Sequence, residues 1–301
     1  MTNAPPAGGA EASSSIYDLG YRRYEGERLG RRHALLALYI ESLRGAFGLG
    51  RSTAAKVAPA VLIGIAVFPA LVQLIIAALI ADDLELIEAD EYYNIIKYVL
   101  ALYCAVIAPD IAGRDQRNRS LTLYFSRAIS RTDYALGKLA AMTTAMLMIT
   151  LVPQMVLFIG NALSTQDFGM YVRTEWDQVG PIVASALLGS ALIASVGVVI
   201  AAQTPHRAFA TVGIIVAFIL PFVIAGIMVH EIATEATRYA VFLSPVDLID
   251  GFTAWLFREQ PEEGGTVMVA GYALWTYAPV ALAVTLAATA LLVRRYRGVQ
   301  A

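Results

Sequence analysis

Side chains able to do chemistry are few in this sequence and stand far apart. The three histidines, His33, His206 and His230, are too widely spaced for a metal-ligand motif, and the one cysteine, Cys104, has no partner for an internal disulfide. Gly137-Lys138 is the nearest approach to a phosphate-binding loop. Such a loop needs a glycine five positions before the second one, and Thr132 stands there. No serine, histidine and carboxylate group together as a nucleophile would require. The chain therefore reads as a non-enzyme with no cofactor or metal of its own. Two charges fall in or at the edge of apolar runs. Lys97 is placed to snorkel toward the nearer membrane surface, and Asp110 is one turn from Arg114. Gln73, Gln154 and Asn161 are expected to bond helix to helix inside the apolar layer.

The elements that carry these residues follow from composition. Of 301 residues 58% are hydrophobic and 15% charged, against about a quarter charged in a soluble domain. That excludes a disordered chain, a nucleic-acid binder and an ordinary cytosolic enzyme. About 20 apolar residues in helical form cross a bilayer. Six runs qualify: 57–80, 93–112, 139–163, 179–202, 208–229 and 267–293. The predicted fold is all-α and polytopic, with a block of six spans over 51–297. Prolines recur in the runs, as neighbouring helices in lipid allow. Residues 1–30 form a polar, basic segment, expected to be disordered and unlike a secretory leader.

Sorting charges by side orients the chain. Eighteen of the 22 lysines and arginines precede the first run, lie between the second and third or the fourth and fifth, or follow the sixth. Three (Arg173, Arg238, Arg258) lie on the other side, where 16 of the 24 acidic residues fall. The positive-inside rule then places both termini in the cytoplasm, with the chain in the inner (cytoplasmic) membrane. The net charge of −2 averages a basic inner face and an acidic outer one.

Three connecting segments have their own patterns. In residues 31–50, Leu36, Ile40, Leu43 and Phe47 share one helical face, which predicts an amphipathic helix in the membrane interface. Between spans five and six, Ile232, Ala236, Tyr239 and Leu243 are followed by Ser244-Pro245-Val246-Asp247. That is a helix start with Ser as N-cap and Pro at the first position, and Phe252 lies on the apolar face that follows. Between spans two and three, Leu121, Tyr124, Phe125 and Ala128 share one face of a short helix. Arg117, Arg127 and Arg131 flank it, as suits docking into a groove of a cytoplasmic partner.

This last segment, Arg-x-x-Ser-Leu-x-Leu-Tyr-Phe-Ser-Arg-x-Ile-Ser-Arg-x-Asp-Tyr-x-x-Gly-Lys over 117–138, resembles the loop between spans two and three in permease subunits of type 2 ABC exporters. The six-run layout and the amphipathic segment before it are also similar to that family. The resemblance implies that Arg117, Leu121, Tyr124, Phe125, Arg127 and Arg131 form or flank a cytoplasmic coupling helix docked on an ABC ATP-binding subunit. ATP and Mg would be bound by that subunit. It also implies short extracellular re-entrant helices, with Ser244, Pro245, Asp247 and Phe252 at an outer gate. A second permease copy or a paralogue would complete the path. Membrane lipid surrounds such a protein, and the apolar spans point to an amphiphilic or hydrophobic cargo. The competing reading from the residues alone is a stand-alone secondary carrier or a membrane scaffold with no ATPase partner.

Overall fold

The computed structural model describes residues 29–50, 53–79, 89–126, 129–164 and 168–298. Among them there are helices and turns and no strand. Residues 1–28 of the segment expected to be disordered, and Arg127 and Ala128 of the predicted short helix between spans two and three, lie outside the described residues.

Six long helices carry the apolar runs: α2 (Thr53–Leu79), α3 (Ala89–Ile111), α6 (Arg131–Ser164), α8 (Trp176–Ala201), α9 (Arg207–Ile227) and α13 (Tyr277–Arg297). Each belongs to a stretch long and apolar enough to cross a bilayer, so the protein is a multi-pass membrane protein. The most buried are α3 and α8, and the core cluster extends from them to α6, α9, α13 and the helix Pro245–Phe257. By contrast α2, α9 and α13 turn large apolar side chains outward, Phe68, Phe209 and Leu286 among them. In a bilayer such faces meet lipid or another helix, and exposure there is expected.

Small residues set the closest approaches. A Cβ on Gly197 of α8 would lie 2.0 Å from Cys104 Sγ of α3, and one on Gly160 of α6 would lie 3.0 Å from the Leu74 side chain of α2. Tyrosine hydroxyls link helices to one another. Tyr93 donates to the Ile182 carbonyl at 2.9 Å, and Tyr92 to that of Ala66 at 3.2 Å. Gln73 Nε2 donates to Asn161 Oδ1 at 3.4 Å between α2 and α6, which is the helix-bonding role expected of both. Pro59, Pro69, Pro109, Pro153, Pro181 and Pro221 all sit inside long helices.

Helix α1 (Gly30–Ala46) lies along α6. Its buried residues are Leu38, Ser42 and Ala46. Gly137 of α6 lets Leu35 and Leu38 approach, each 3.3 Å from where a Cβ would be. Arg31 holds Asp133 through two hydrogen bonds of 2.8 Å, and the carboxylate raises the guanidinium pKa above its ordinary value. Tyr39 donates to Thr144 Oγ1 at 3.0 Å. The predicted stripe is divided: Leu36 and Ile40 are exposed, while Leu43 and Phe47 pack against the core. A second stripe, one position away, takes the protein side.

The remaining elements are short. They are α4 (Gly113–Arg117), α5 (Leu121–Phe125), α7 (Phe168–Thr174), α10 (Glu235–Arg238), α11 (Pro245–Phe257) and α12 (Thr266–Ala270). The run read as one span from Val267 is divided. Gly271 takes a left-handed φ of 72° at the end of α12, a 3-10 turn follows at Leu274–Thr276, and the long helix starts at Tyr277. Glycine adopts that conformation without the Cβ clash other residues meet.

Candidate functional site

Two clusters sit at opposite ends of the bundle. One is at the end where α1 starts and α13 finishes, around α4 and α5. With α6 spanning 34 residues, or about 51 Å, its first turns form part of this end. Asp115 of α4 is buried, and its Oδ2 accepts from the Tyr134 hydroxyl at 2.5 Å and from Lys138 Nζ at 2.9 Å. Both partners are on α6. A carboxylate out of water needs this pairing, since an unpaired buried charge costs several kcal/mol. The Tyr134 ring is in turn packed by three others: Tyr124 (centroids 5.5 Å apart), Phe125 (5.7 Å) and Tyr296 of α13 (5.1 Å).

The aromatic face expected to dock a partner is therefore turned onto the protein's own core. Leu121 is buried, and Tyr124 and Phe125 are half-buried. The side of α5 facing away carries Thr122 and Leu123, and Leu123 is 66% exposed. Arg131 sits over the Phe125 ring at 5.6 Å and donates to the Arg297 carbonyl at 3.1 Å. Arg117 donates to the carbonyls of Pro109 and Pro205 and pairs with Asp110 at 3.3 Å. Arg207 meets the other oxygen of Asp110 at 3.4 Å. Spacing pointed to Arg114 for Asp110. The partners found include Arg207, almost a hundred residues further on, which local spacing gives no means of finding.

The cleft beside α5 is lined by Leu29, His33, Leu38, Leu123, Tyr124 and Ile129, with a volume of 540 Å³. It brings α1 and α5 together on one surface.

The other cluster surrounds α11. Ser244 Oγ accepts from the Asp247 backbone N–H at 3.2 Å and Pro245 fills the first helical position, as the sequence predicts. The segment Glu235–Leu243 and α11 meet at 92°. Ser244, Asp247 and Phe252 are all buried, and the absence of a Cβ on Gly251 lets the Tyr277 ring approach. Lys97 does not snorkel. It is 4% exposed and pairs with Asp250 of α11. His230, in a π-helical turn after α9 (Met228–Ile232), has Nδ1 3.0 Å from the Gly226 carbonyl and Nε2 2.9 Å from that of Gly264. The Gly226 carbonyl is four residues back on the same helical run, whereas the Gly264 contact depends on how the 258–266 segment returns, which spacing does not show.

Nothing among the described residues groups three histidine, cysteine or carboxylate side chains as a metal would need. Comparison with protein families gives one match: the family described as "ABC-2 family transporter protein" matches residues 68–298. No curated protein matches the chain.

Proposed function

The chain belongs to the ABC-2 transporter family, and from that footing we propose that it is the permease subunit of an ATP-driven exporter, coupled to a separate ATP-binding subunit. The observation that carries the reading is the linkage of α5 to the bundle. Tyr134 of α6 holds Tyr124 and Phe125 on one side and Tyr296 of α13 on another, while its hydroxyl holds Asp115 of α4. A push delivered to α5 reaches two long helices through packed rings and a buried charge pair.

On this reading the α5 end is cytoplasmic. The ATPase presses on the surface made by α1 and α5, with Leu123 as its apolar anchor and the arginines beside it. ATP and Mg are bound and hydrolysed on that partner. The bend at Ser244 and helix α11 form the outer gate, and a second permease, identical or related, completes the path. The outward apolar faces of α2, α9 and α13 suit an amphiphilic or hydrophobic cargo and a lipid surround.

The test is co-purification with a candidate ABC ATP-binding subunit, sought first among the neighbouring genes, comparing wild type with Leu123→Asp. The expected result is loss of association and of permease-stimulated ATP hydrolysis. Unchanged association and stimulation would remove the docking assignment. Transport that persists without any ATPase would make the chain a stand-alone carrier.

A further inference from the structure

A groove of 470 Å³ lies between α1 and α6. Leu35, Leu36, Tyr39, Leu136 and Ala140 make its walls, and Gly137 completes the lining. Leu36 is 54% and Leu136 43% exposed, so the groove opens outward and not into the core. Its volume matches about fifteen waters at about 30 Å³ each, and a methylene group is of similar size. That is room for one alkyl chain.

The two helices run side by side in the same direction. Arg31 meets Asp133, Leu35 meets Gly137, and Tyr39 meets Thr144. Arg32 and Asp133, from the first turns of both helices, therefore mark one end of the groove, and Tyr39 and Ala140 mark the other. The charges of α6 (Arg131, Asp133 and Lys138) all precede residue 139, and the rest of the helix carries none. So the Arg32 end sits at the membrane surface, and the Ala140 end, about 10 Å further along α6, has reached the hydrocarbon. The charges at the surface end do not cancel. Arg31 holds both oxygens of Asp133, and the Ser130 N–H donates to Oδ2 at 3.1 Å. Arg32 is exposed and pairs with no carboxylate among the described residues. One guanidinium is thus left over at the mouth of an apolar groove, and a guanidinium is well shaped to hold a phosphate. A protein partner would have to enter the bilayer to fill the inner half.

We propose that this groove binds one anionic phospholipid, with its phosphate on Arg32 and an acyl chain along Leu35, Leu36, Tyr39, Leu136 and Ala140. An anionic lipid fits better than a zwitterionic one, whose own ammonium already balances its phosphate. The occupant touches α1 and α6 together, so binding ties the first helix to the bundle. The site requires only that α6 spans a bilayer and is independent of any ATPase. Its failure would leave the coupled-permease reading standing, and failure of that reading would leave the site standing.

The probe is dioleoyl phosphatidylglycerol, titrated into the purified, delipidated full chain in detergent, with thermal unfolding as the readout. The comparisons are dioleoyl phosphatidylcholine, which has the same chains, and inorganic phosphate, which has none. A saturable rise in Tm with phosphatidylglycerol is expected, with an apparent affinity about tenfold above that for phosphatidylcholine and no response to phosphate. Arg32→Gln, at an exposed side chain, should bring phosphatidylglycerol down to the phosphatidylcholine level, a loss of roughly tenfold, the size of a charge-assisted contact. Ala140→Trp, which fills the inner end of the groove, should abolish the response to both lipids. Arg44→Gln, on α1 but outside the groove, should change nothing. Equal affinity for the two lipids, an equal response to phosphate, or full affinity in Arg32→Gln and Ala140→Trp would overturn the proposal. So would an equal loss in Arg44→Gln, which is what general attraction of anionic lipid to basic residues predicts.

Discussion

Tyr134 donates its hydroxyl to Asp115 at 2.5 Å while its ring holds Tyr124 and Phe125, so one side chain fixes both the buried charge of α4 and the inner face of α5. Tyr134→Phe keeps the ring and removes the donor, leaving Asp115 with Lys138. The expected loss is about 1–3 kcal/mol, the cost of an unmade buried hydrogen bond to a charge. Asp115→Ala strands Lys138 in the core and should cost more, about 3–5 kcal/mol. Thermal unfolding of the purified protein gives the order. A milder effect for Asp115→Ala than for Tyr134→Phe would contradict it.

The two faces of α5 should separate in one experiment. Leu123→Asp changes an outward side chain, so Tm should stay within a degree or two while ATPase association falls at least tenfold, as for an interface anchor worth more than about 1.4 kcal/mol. Phe125→Ala removes a ring packed on Tyr134, so Tm and association should fall together. A Leu123→Asp variant that unfolds early would show the residue to be structural.

The contact of α3 with α8 gives a test of opposite signs. Gly197→Ala places a Cβ 2.0 Å from Cys104 Sγ and should destabilise by about 1–3 kcal/mol, as overpacking does. In a Cys104→Ala background the nearest atom is the residue-104 Cβ at 3.6 Å, an ordinary contact. The double variant should therefore be more stable than Gly197→Ala alone. Additive losses in this cycle would refute the close packing.

His230 faces two carbonyl oxygens, and only an imidazolium has two N–H donors to give them. The charged groups around it are Asp247, Asp250, Lys97 and Glu262, which line one cavity with it, Glu231 next to it, and Glu235 and Arg238 on α10. The tie to Gly264 is complete when the ring carries its second proton and loses a bond when that proton leaves. Protection of the 261–266 amides from hydrogen exchange should fall as the pH rises and the ring gives up its second proton. The exchange data are corrected for the intrinsic pH dependence. His230→Gln should flatten the profile. A wild-type profile with no such change would refute the two-donor contact.

Much of the fold was legible because a bilayer imposes one demand on every span. An apolar helix of sufficient length is visible in a single sequence, and all six appear. The start at Ser244-Pro245 was legible because its chemistry is local, with the side chain bonding an N–H three residues on. That Gln73 and Asn161 bond between helices was expected from polarity in an apolar run, though not that they pair with each other. The inner face of α5 was not legible. A five-residue helix shows which residues share a side, but Leu121, Tyr124 and Phe125 look the same whether that side meets a partner or Tyr134. The same limit applied to α1, where neighbouring apolar stripes compete and the close approach at Gly137 selects one of them.

From residues alone came the number of spans, the asymmetry of charge, the short helix between spans two and three, and the absence of a phosphate-binding loop. These depend on hydropathy, charge and neighbours within a few positions. Tertiary structure alone decided that Lys97 is buried against Asp250, that Asp110 meets Arg207, and that Tyr134 of α6 meets residues of α4, α5 and α13. Each of these pairs joins residues from separate helices. Which charge faces which is set by how the helices pack, because the energy of a buried polar group depends on the partner within about 3 Å and not on its neighbours in sequence.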